Sequence, residues 1–229
     1  MNPKILVVTA VAAERDAVLA GRHPVTGMVA GLQVHRTVTP AGLLDVVCGG
    51  VGPVAAAVST SCVLEGNRRG YSLAVSAGIG GGFPAAGIGA VVVADTVVHA
   101  DLGAETAEGF VSMAELGWGD VRYPVDPGWA AALSRRTGAV TGAVLTVSTV
   151  TGSRQRAEQL LASHPDAVAE GMEGVGVCLA ARQVGVPFAE LRTIANPVGP
   201  RHRESWRISD ALTALSAAFD RLLTEPLVP

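Results

Sequence analysis

At 229 residues the chain is long enough to bury one sizeable core, and its 49% hydrophobic and 16% charged composition excludes a disordered segment. A net charge of −3 gives no electrostatic reason to bind nucleic acid or an acidic membrane. Cys48, Cys62 and Cys178 are odd in number and sit far apart in apolar runs, so they read as buried free thiols of a reducing, cytoplasmic compartment; no CxxC or HExxH motif suggests a metal.

Lys4 to Thr9 reads as a buried strand, and the charged Glu14, Arg15 and Asp16 behind it argue against a secretion signal. Ala12 to Ala20 reads as a helix ended by Gly21. Gln33 to Thr37 and Leu43 to Cys48 form strands joined across Pro40-Ala41-Gly42, and Val54 to Leu64 a helix of small residues. Leu73 to Ser76 is a short strand entering a glycine loop, Ala77 to Gly82, and Ala90 to His99 a long β-branched strand. Periodicity is lost from Asp101 to Pro127. Trp129 to Arg136 then reads as a helix, Val140 to Val147 as a strand and Arg154 to Ser163 as a helix. The strand around Val168, the helix Gly174 to Gln183 and the strand Phe188 to Ile194 follow, and Ile208, Leu212, Leu215, Phe219 and Leu222 mark a final amphipathic helix. Strands alternate with helices, which predicts a single α/β domain spanning 1–229, with a mixed, mostly parallel central sheet covered by helices on both faces.

Ligands of such sheets bind beyond the strand ends. Two segments place chemistry there: Glu170-Gly171-Met172-Glu173-Gly174, and Arg192 to Asn196. A carboxylate grips vicinal hydroxyls and an amide reads a purine edge, which together suggest a nucleoside. Glu173 suits the hydroxyls with Met172 along the sugar, although an N-terminal helix carboxylate paired with Arg192 or Arg182 is the plainer reading. Glu14 follows a strand near a helix start, where a carboxylate is also favoured for helix reasons alone. Gly49-Gly50-Val51-Gly52-Pro53 has neither the dinucleotide nor the Walker spacing, and is a tight turn or a close backbone approach to ligand. Ser76 to Gly82, with four glycines in five positions, favours a flat ligand lying against backbone. Trp206 can close over an aromatic ring or serve as a core residue.

Taken together, Lys4 to Ala10, Ser76-Ala77-Gly78, Gly171-Met172-Glu173-Gly174 and Arg192 to Asn196 resemble the nucleoside phosphorylase/nucleosidase superfamily over nearly the whole chain. The similarity is greatest to the branch of the methylthioadenosine/S-adenosylhomocysteine nucleosidases and, through Asn196 to Arg201 with Trp206, to the futalosine hydrolases of the alternative menaquinone route. The resemblance implies that Glu14 activates water, Glu173 binds ribose with Met172 beside it, and Asn196 contacts the base. It further implies that Ser76, Ala77 and Gly78 flank base and ribose, that Val150 and Thr151 contact the purine through backbone, and that Trp206 closes the pocket. Asn196 replaces the Asp of the adenine-releasing enzymes, which implies hypoxanthine as the leaving base. The segment Thr9 to Glu14 lacks the phosphate-holding arginine of the phosphorylases, so water is the expected nucleophile. Implied besides are futalosine as substrate and no metal or organic cofactor, while the sparse charge of the chain points to a homodimer or higher homo-oligomer. Adenine nucleosidase, phosphorylase and non-catalytic purine-binding readings are the alternatives. Arg154, Arg201 and Arg203 are candidates for the substrate's benzoate tail.

Overall fold

The computed structural model describes residues 3–66 and 70–229. Strand β1 (Lys4–Thr9) pairs in parallel with β4 (Gly42–Cys48) on one side and β5 (Leu73–Gly82) on the other. Beyond β4 lie β3 (Leu32–Thr39) and β2 (Val25–Val29), both antiparallel to their neighbours. Beyond β5 comes β12 (Phe188–Pro197), then β6 (Val91–His99), β10 (Val140–Thr146) and β11 (Ala167–Gly171). β11 then returns to pair with the end of β5, through Ala169–Gly82 and Glu170–Gly81. Strands β5, β12, β6, β10 and β11 therefore close on themselves as a small barrel, with β1 to β4 as an open wing. β9 (Arg122–Pro124) joins β6, while β7 (Gly103–Thr106) and β8 (Gly109–Ser112) form a separate hairpin.

Six α-helices flank the sheet among the described residues: α1 (Ala12–Leu19), α2 (Pro53–Gly66), α3 (Pro127–Thr137), α4 (Arg154–Ser163), α5 (Gly174–Gln183) and α6 (Ile208–Leu222). Helix α3 shows why local sequence sets their ends. The Asp126 side chain accepts the Trp129 N–H at 3.1 Å, Pro127 opens the first turn, and Gly138 closes the helix at φ +70°. The core is aliphatic, with Leu6, Leu44, Leu73, Leu133, Leu191 and Leu215 fully buried. Among the described residues no helix is long and apolar enough to cross a membrane.

The expected single α/β domain with a mixed sheet is the architecture found. Four local differences matter. β5 does not stop at Ser76 but runs ten residues through the glycines, because β12 and β11 supply ladder partners from far along the chain. β12 likewise runs on to Pro197, so Asn196 lies within a strand end rather than past it. In α6 the buried stripe is Ala211, Leu215, Ala218, Phe219 and Leu222, while Ile208 is exposed. Of the three free cysteines only Cys178 is buried; burial pushes its thiol up to about 12, and Cys48 and Cys62 are half-buried.

Asp45 ties the wing to β1. Its carboxylate is fully buried and accepts two hydrogen bonds from Arg36 (2.7 and 2.8 Å) and one from Tyr71 (2.7 Å), with Lys4 at 3.4 Å. Burial alone would raise its pKa, but these donors outweigh burial and hold it below the usual 3.8. A depressed carboxyl stabilises the fold above its unfolded pKa, and that stability is lost as pH falls through the folded value. Arg36 is 44% exposed, so its share is screened. Asp45→Asn is expected to cost about 2 kcal/mol near neutral pH. The gap between native and variant proteins in urea unfolding should be smaller at about pH 3 than near neutral pH, because it is lost as pH falls from the unfolded carboxyl value toward the depressed folded one. An equal gap at both pH values would show that the charge is not the source.

Candidate active site

A cavity of about 250 Å³ opens at one end of the barrel. Its wall is assembled from the ends of β5, β11 and β12, the β1–α1 turn, and the segments after β10 and β12. Glu14, Val150, Thr151, Met172, Glu173, Asn196 and Trp206, separated by up to 192 residues in sequence, all line it. Glu170 also lines it, and the described lining residues include three carboxyls and no Lys or Arg.

Arg192 lies behind this wall, 1% exposed. Its Nη1 meets Glu173 Oε2 at 3.1 Å, its Nε donates to Glu190 Oε1 at 2.9 Å, and its Nη2 donates to Ser76 Oγ at 2.9 Å. Desolvation works against the guanidinium charge, but Glu190, Glu173 and Glu14 outweigh it and raise the Arg192 pKa. Glu190 is wholly buried, and burial pushes its carboxyl up against the pull of Arg192.

Glu173 is the last residue before α5. Its Oε1 accepts the Gly52 N–H at 3.1 Å. One lone pair on each oxygen is thus used by protein, and one on each is left for the cavity. The plainer sequence reading of Glu173, a carboxylate paired with Arg192, is therefore true of the same residue that lines the cavity. The glycine turn before α2 turns its Gly52 N–H to Glu173, while Val51 supplies cavity wall.

Glu14 is 3% exposed. Its Oε2 accepts the Ala10 and Val11 N–H groups at 2.9 and 3.2 Å, and its Oε1 accepts the Ile79 N–H at 2.9 Å. The bond to Val11 is the reach-back of a third helical residue to the helix cap. The other two bonds tie the turn after β1 and the start of α1 to β5. Oε1 keeps one lone pair free toward the cavity.

Asn196 and Glu170 occupy equivalent places on opposite edges of β5, both paired with Gly81. Asn196 Nδ2 donates to Pro197 O at 2.9 Å and retains a second N–H. Trp206 follows a short 3-10 turn, Arg203–Ser205, and is anchored by the Arg207 N–H to Ala195 O bond at 2.9 Å. Arg201 and Arg203 lie 5.2 and 5.9 Å from the Trp206 ring centre. Among the described residues no group of three or more His, Cys, Asp or Glu is arranged as metal ligands would be.

Ser76, Ala77 and Gly78 are not cavity wall. They belong to strand β5, and Ile79, Gly80 and Gly81 after them form the wall instead. Ser76 is fully buried on Arg192. A Cβ on Gly78 would stand 2.4 Å from Glu14 Oε1, so this glycine makes room for the carboxylate. Arg192, Glu190 and Glu170 escaped the sequence reading as site residues. A buried arginine two residues after a glutamate on an otherwise apolar strand is the signal that could have found the first two.

Arg192→Met should destabilise the protein by about 3–5 kcal/mol, because Glu173 and Glu190 would lose their shared cation without regaining water. Arg192→Lys should recover only part of this, since an ammonium cannot reproduce the guanidinium fork. Denaturant midpoints check both, and a near-native midpoint for the Met variant would remove Arg192 from its structural role.

The sequence matches the Phosphorylase superfamily over residues 4–225. It is 49% identical to the futalosine hydrolase of Streptomyces coelicolor, over 95% of this chain and 94% of that one. It is 43% identical to the futalosine hydrolase of Acidothermus cellulolyticus, over 97% of this chain and 91% of that one. The fold is similar to a crystal structure of S-adenosylhomocysteine nucleosidase from Streptococcus pyogenes, with TM-score 0.84 at 21% identity and 98% of both chains covered. It is also similar to futalosine hydrolase of Helicobacter pylori, with TM-score 0.81 at 19% identity and 97% of both chains covered. A barrel-ended α/β sheet, a cavity lined by Glu14 and Glu173, and identities of this size over nearly full length lead to one assignment: the chain belongs to the futalosine hydrolase family of the Phosphorylase superfamily.

Proposed function

We propose that the chain hydrolyses the N-glycosidic bond of futalosine, releasing hypoxanthine and dehypoxanthine futalosine in menaquinone biosynthesis. The observation that carries water as nucleophile is the charge of the cavity: its described wall offers carboxyls and no cation. Arg192 is committed to Glu173, Glu190 and Ser76. A phosphate dianion would meet repulsion where neutral water does not.

The mechanism follows from charge. As C1′–N9 stretches, the ribose gains oxocarbenium character and the base gains negative charge. Glu173 accepts the ribose hydroxyls on its two open lone pairs and stabilises the cationic sugar, with Met172 beside the ring. Glu14 orients a water on its open Oε1 lone pair and removes the proton as oxygen bonds to C1′. Asn196 donates to the departing base, Val150 and Thr151 flank it, and Trp206 shields the site from bulk water. Contacts that strengthen as charge develops are those that raise turnover. Ser76 acts from behind the wall through Arg192, and Gly78 through the space left for Glu14.

A homo-oligomer is part of the same proposal. Val54 and Val58 on α2 are 76% and 59% exposed, and Val51 just before them is 57% exposed while it lines the cavity. This apolar stripe is suited to a second copy of the chain beside the site. A cytoplasmic location fits a substrate made and consumed with other small metabolites.

Chromatography of free base released from futalosine in phosphate-free buffer tests the reaction. Hypoxanthine release without phosphate is expected, and strict phosphate dependence would overturn it. Glu14→Gln should keep nucleoside binding yet lose about 10²–10⁴-fold in kcat. Near-native turnover in that variant would remove Glu14 from the base role.

A further inference from the structure

Resting on the purine-nucleosidase reading, we propose that Glu170 selects a 6-oxopurine by accepting its N1–H, while Asn196 donates to the adjacent O6. The two side chains line the same cavity from strands on either side of Gly81, their common partner in register. Gly81 has no side chain, which leaves room for Val198 and the Asn196 amide at this end of the cavity. A Cβ there would stand 2.9 Å from Val198 Cγ2 and 3.5 Å from Asn196 Nδ2. Glu170, Gly81, Asn196 and Val198 all line the cavity, so the carboxyl and the amide face one ligand space.

The polarity of this space is set by Thr151. Its backbone N–H donates to Glu170 Oε1 at 3.0 Å, and its hydroxyl donates to Glu170 Oε2. Both Thr151 donors are thereby used, and each Glu170 oxygen keeps a lone pair. This wall therefore presents an acceptor to the base. Glu170 is 4% exposed, so solvent screens little of its charge. Burial pushes its carboxyl up, opposed by the two Thr151 bonds, and a further donor favours the ionised form.

Asn196 is oriented by its Nδ2 bond to Pro197 O and offers its second N–H to O6, but one amide bond reads only one atom of the base. A carboxylate held by two donors can only accept. Hypoxanthine offers a donor at N1 beside an acceptor at O6, whereas adenine offers an acceptor at N1 beside a donor. The carboxylate–amide pair is the complement of the first pattern and repels the second at N1. Glu170 is thus a specificity-determining residue for the base, distinct from Glu14 at the water and Glu173 at the sugar.

The test compares kcat/KM for futalosine, its adenine-bearing counterpart and N1-methylated futalosine, on native protein and on Glu170→Gln. Native protein should disfavour both the adenine and the N1-methyl compounds by about tenfold or more. In Glu170→Gln, futalosine should fall by about ten- to hundredfold, the adenine compound should lose less or gain, and the N1-methyl penalty should shrink. Cleavage of N1-methyl futalosine by native protein at the rate of futalosine would overturn the assignment without recourse to any variant. So would an unchanged adenine-to-hypoxanthine ratio in a folded Glu170→Gln protein. Release of no base from any of the three by native protein would instead refute the nucleosidase reading itself.

Discussion

The Arg192 guanidinium is the fixed point around which the site end of the molecule is built. It is withdrawn from water, and three carboxyl groups, Glu173, Glu190 and Glu14, raise its pKa together. A charge so placed survives only where the surrounding chain comes close enough to answer it. Close approach explains several glycines that composition alone leaves unexplained. A Cβ on Gly171 would stand 3.0 Å from Arg192 Nε, one on Gly78 2.9 Å from Nη1, and one on Gly174 2.0 Å from Glu190 Oε2. These positions are small because an ionic cluster occupies the space a side chain would need. The glycine-rich stretch that suggested a bare platform for ligand is in good part the packing shell of this cluster.

Barrel closure is the second constraint, and it depends on the same residues. β11 can cross onto the end of β5 because Gly80 lets the Glu170 carbonyl approach; a Cβ there would stand 2.7 Å from it. That crossing puts Glu170 on one edge of Gly81 while β12 puts Asn196 on the other. β12 also carries Arg192 and Glu190, so the strand that supplies the buried cation delivers the amide four residues later at the cavity. Folding energy and binding geometry are coupled along one strand.

Local periodicity made most of the fold legible. Buried runs such as Ile5 to Thr9 and capped helices such as α3 carry their signal within a few residues. What stayed hidden was whatever non-local pairing decides. β2 has four exposed residues in five and so shows no inward face to read. β5 continues through glycines because distant strands hold it. The hairpin of β7 and β8 lies in the segment where periodicity fails, with residues only partly buried or exposed. In the site, Glu14 and Glu173 stood out by their placement after apolar runs, and the superfamily resemblance gave them meaning. Glu170 is two residues from Met172, yet reads in sequence as an ordinary strand end. Only the Gly81 register and the two Thr151 donors give it a direction.

The three carboxyls of the cavity show how one functional group acquires different uses from its partners. Glu14 is held by backbone N–H groups alone, Glu173 by one N–H and a guanidinium, and Glu170 by a single threonine through two donors. An excess of carboxyls over the single Arg192 cation around a largely apolar cavity is unfavourable while the site is empty, because low polarizability strengthens repulsion as well as attraction. The same arrangement becomes favourable when a positive centre develops among the carboxyls. On the proposed reaction that centre is the oxocarbenium-like sugar, which exists only near the transition state. The empty-site repulsion and the catalytic attraction are then one electrostatic design, and Arg192, set behind the wall rather than within the cavity, keeps the fold tolerant of that charge without neutralising it for the substrate.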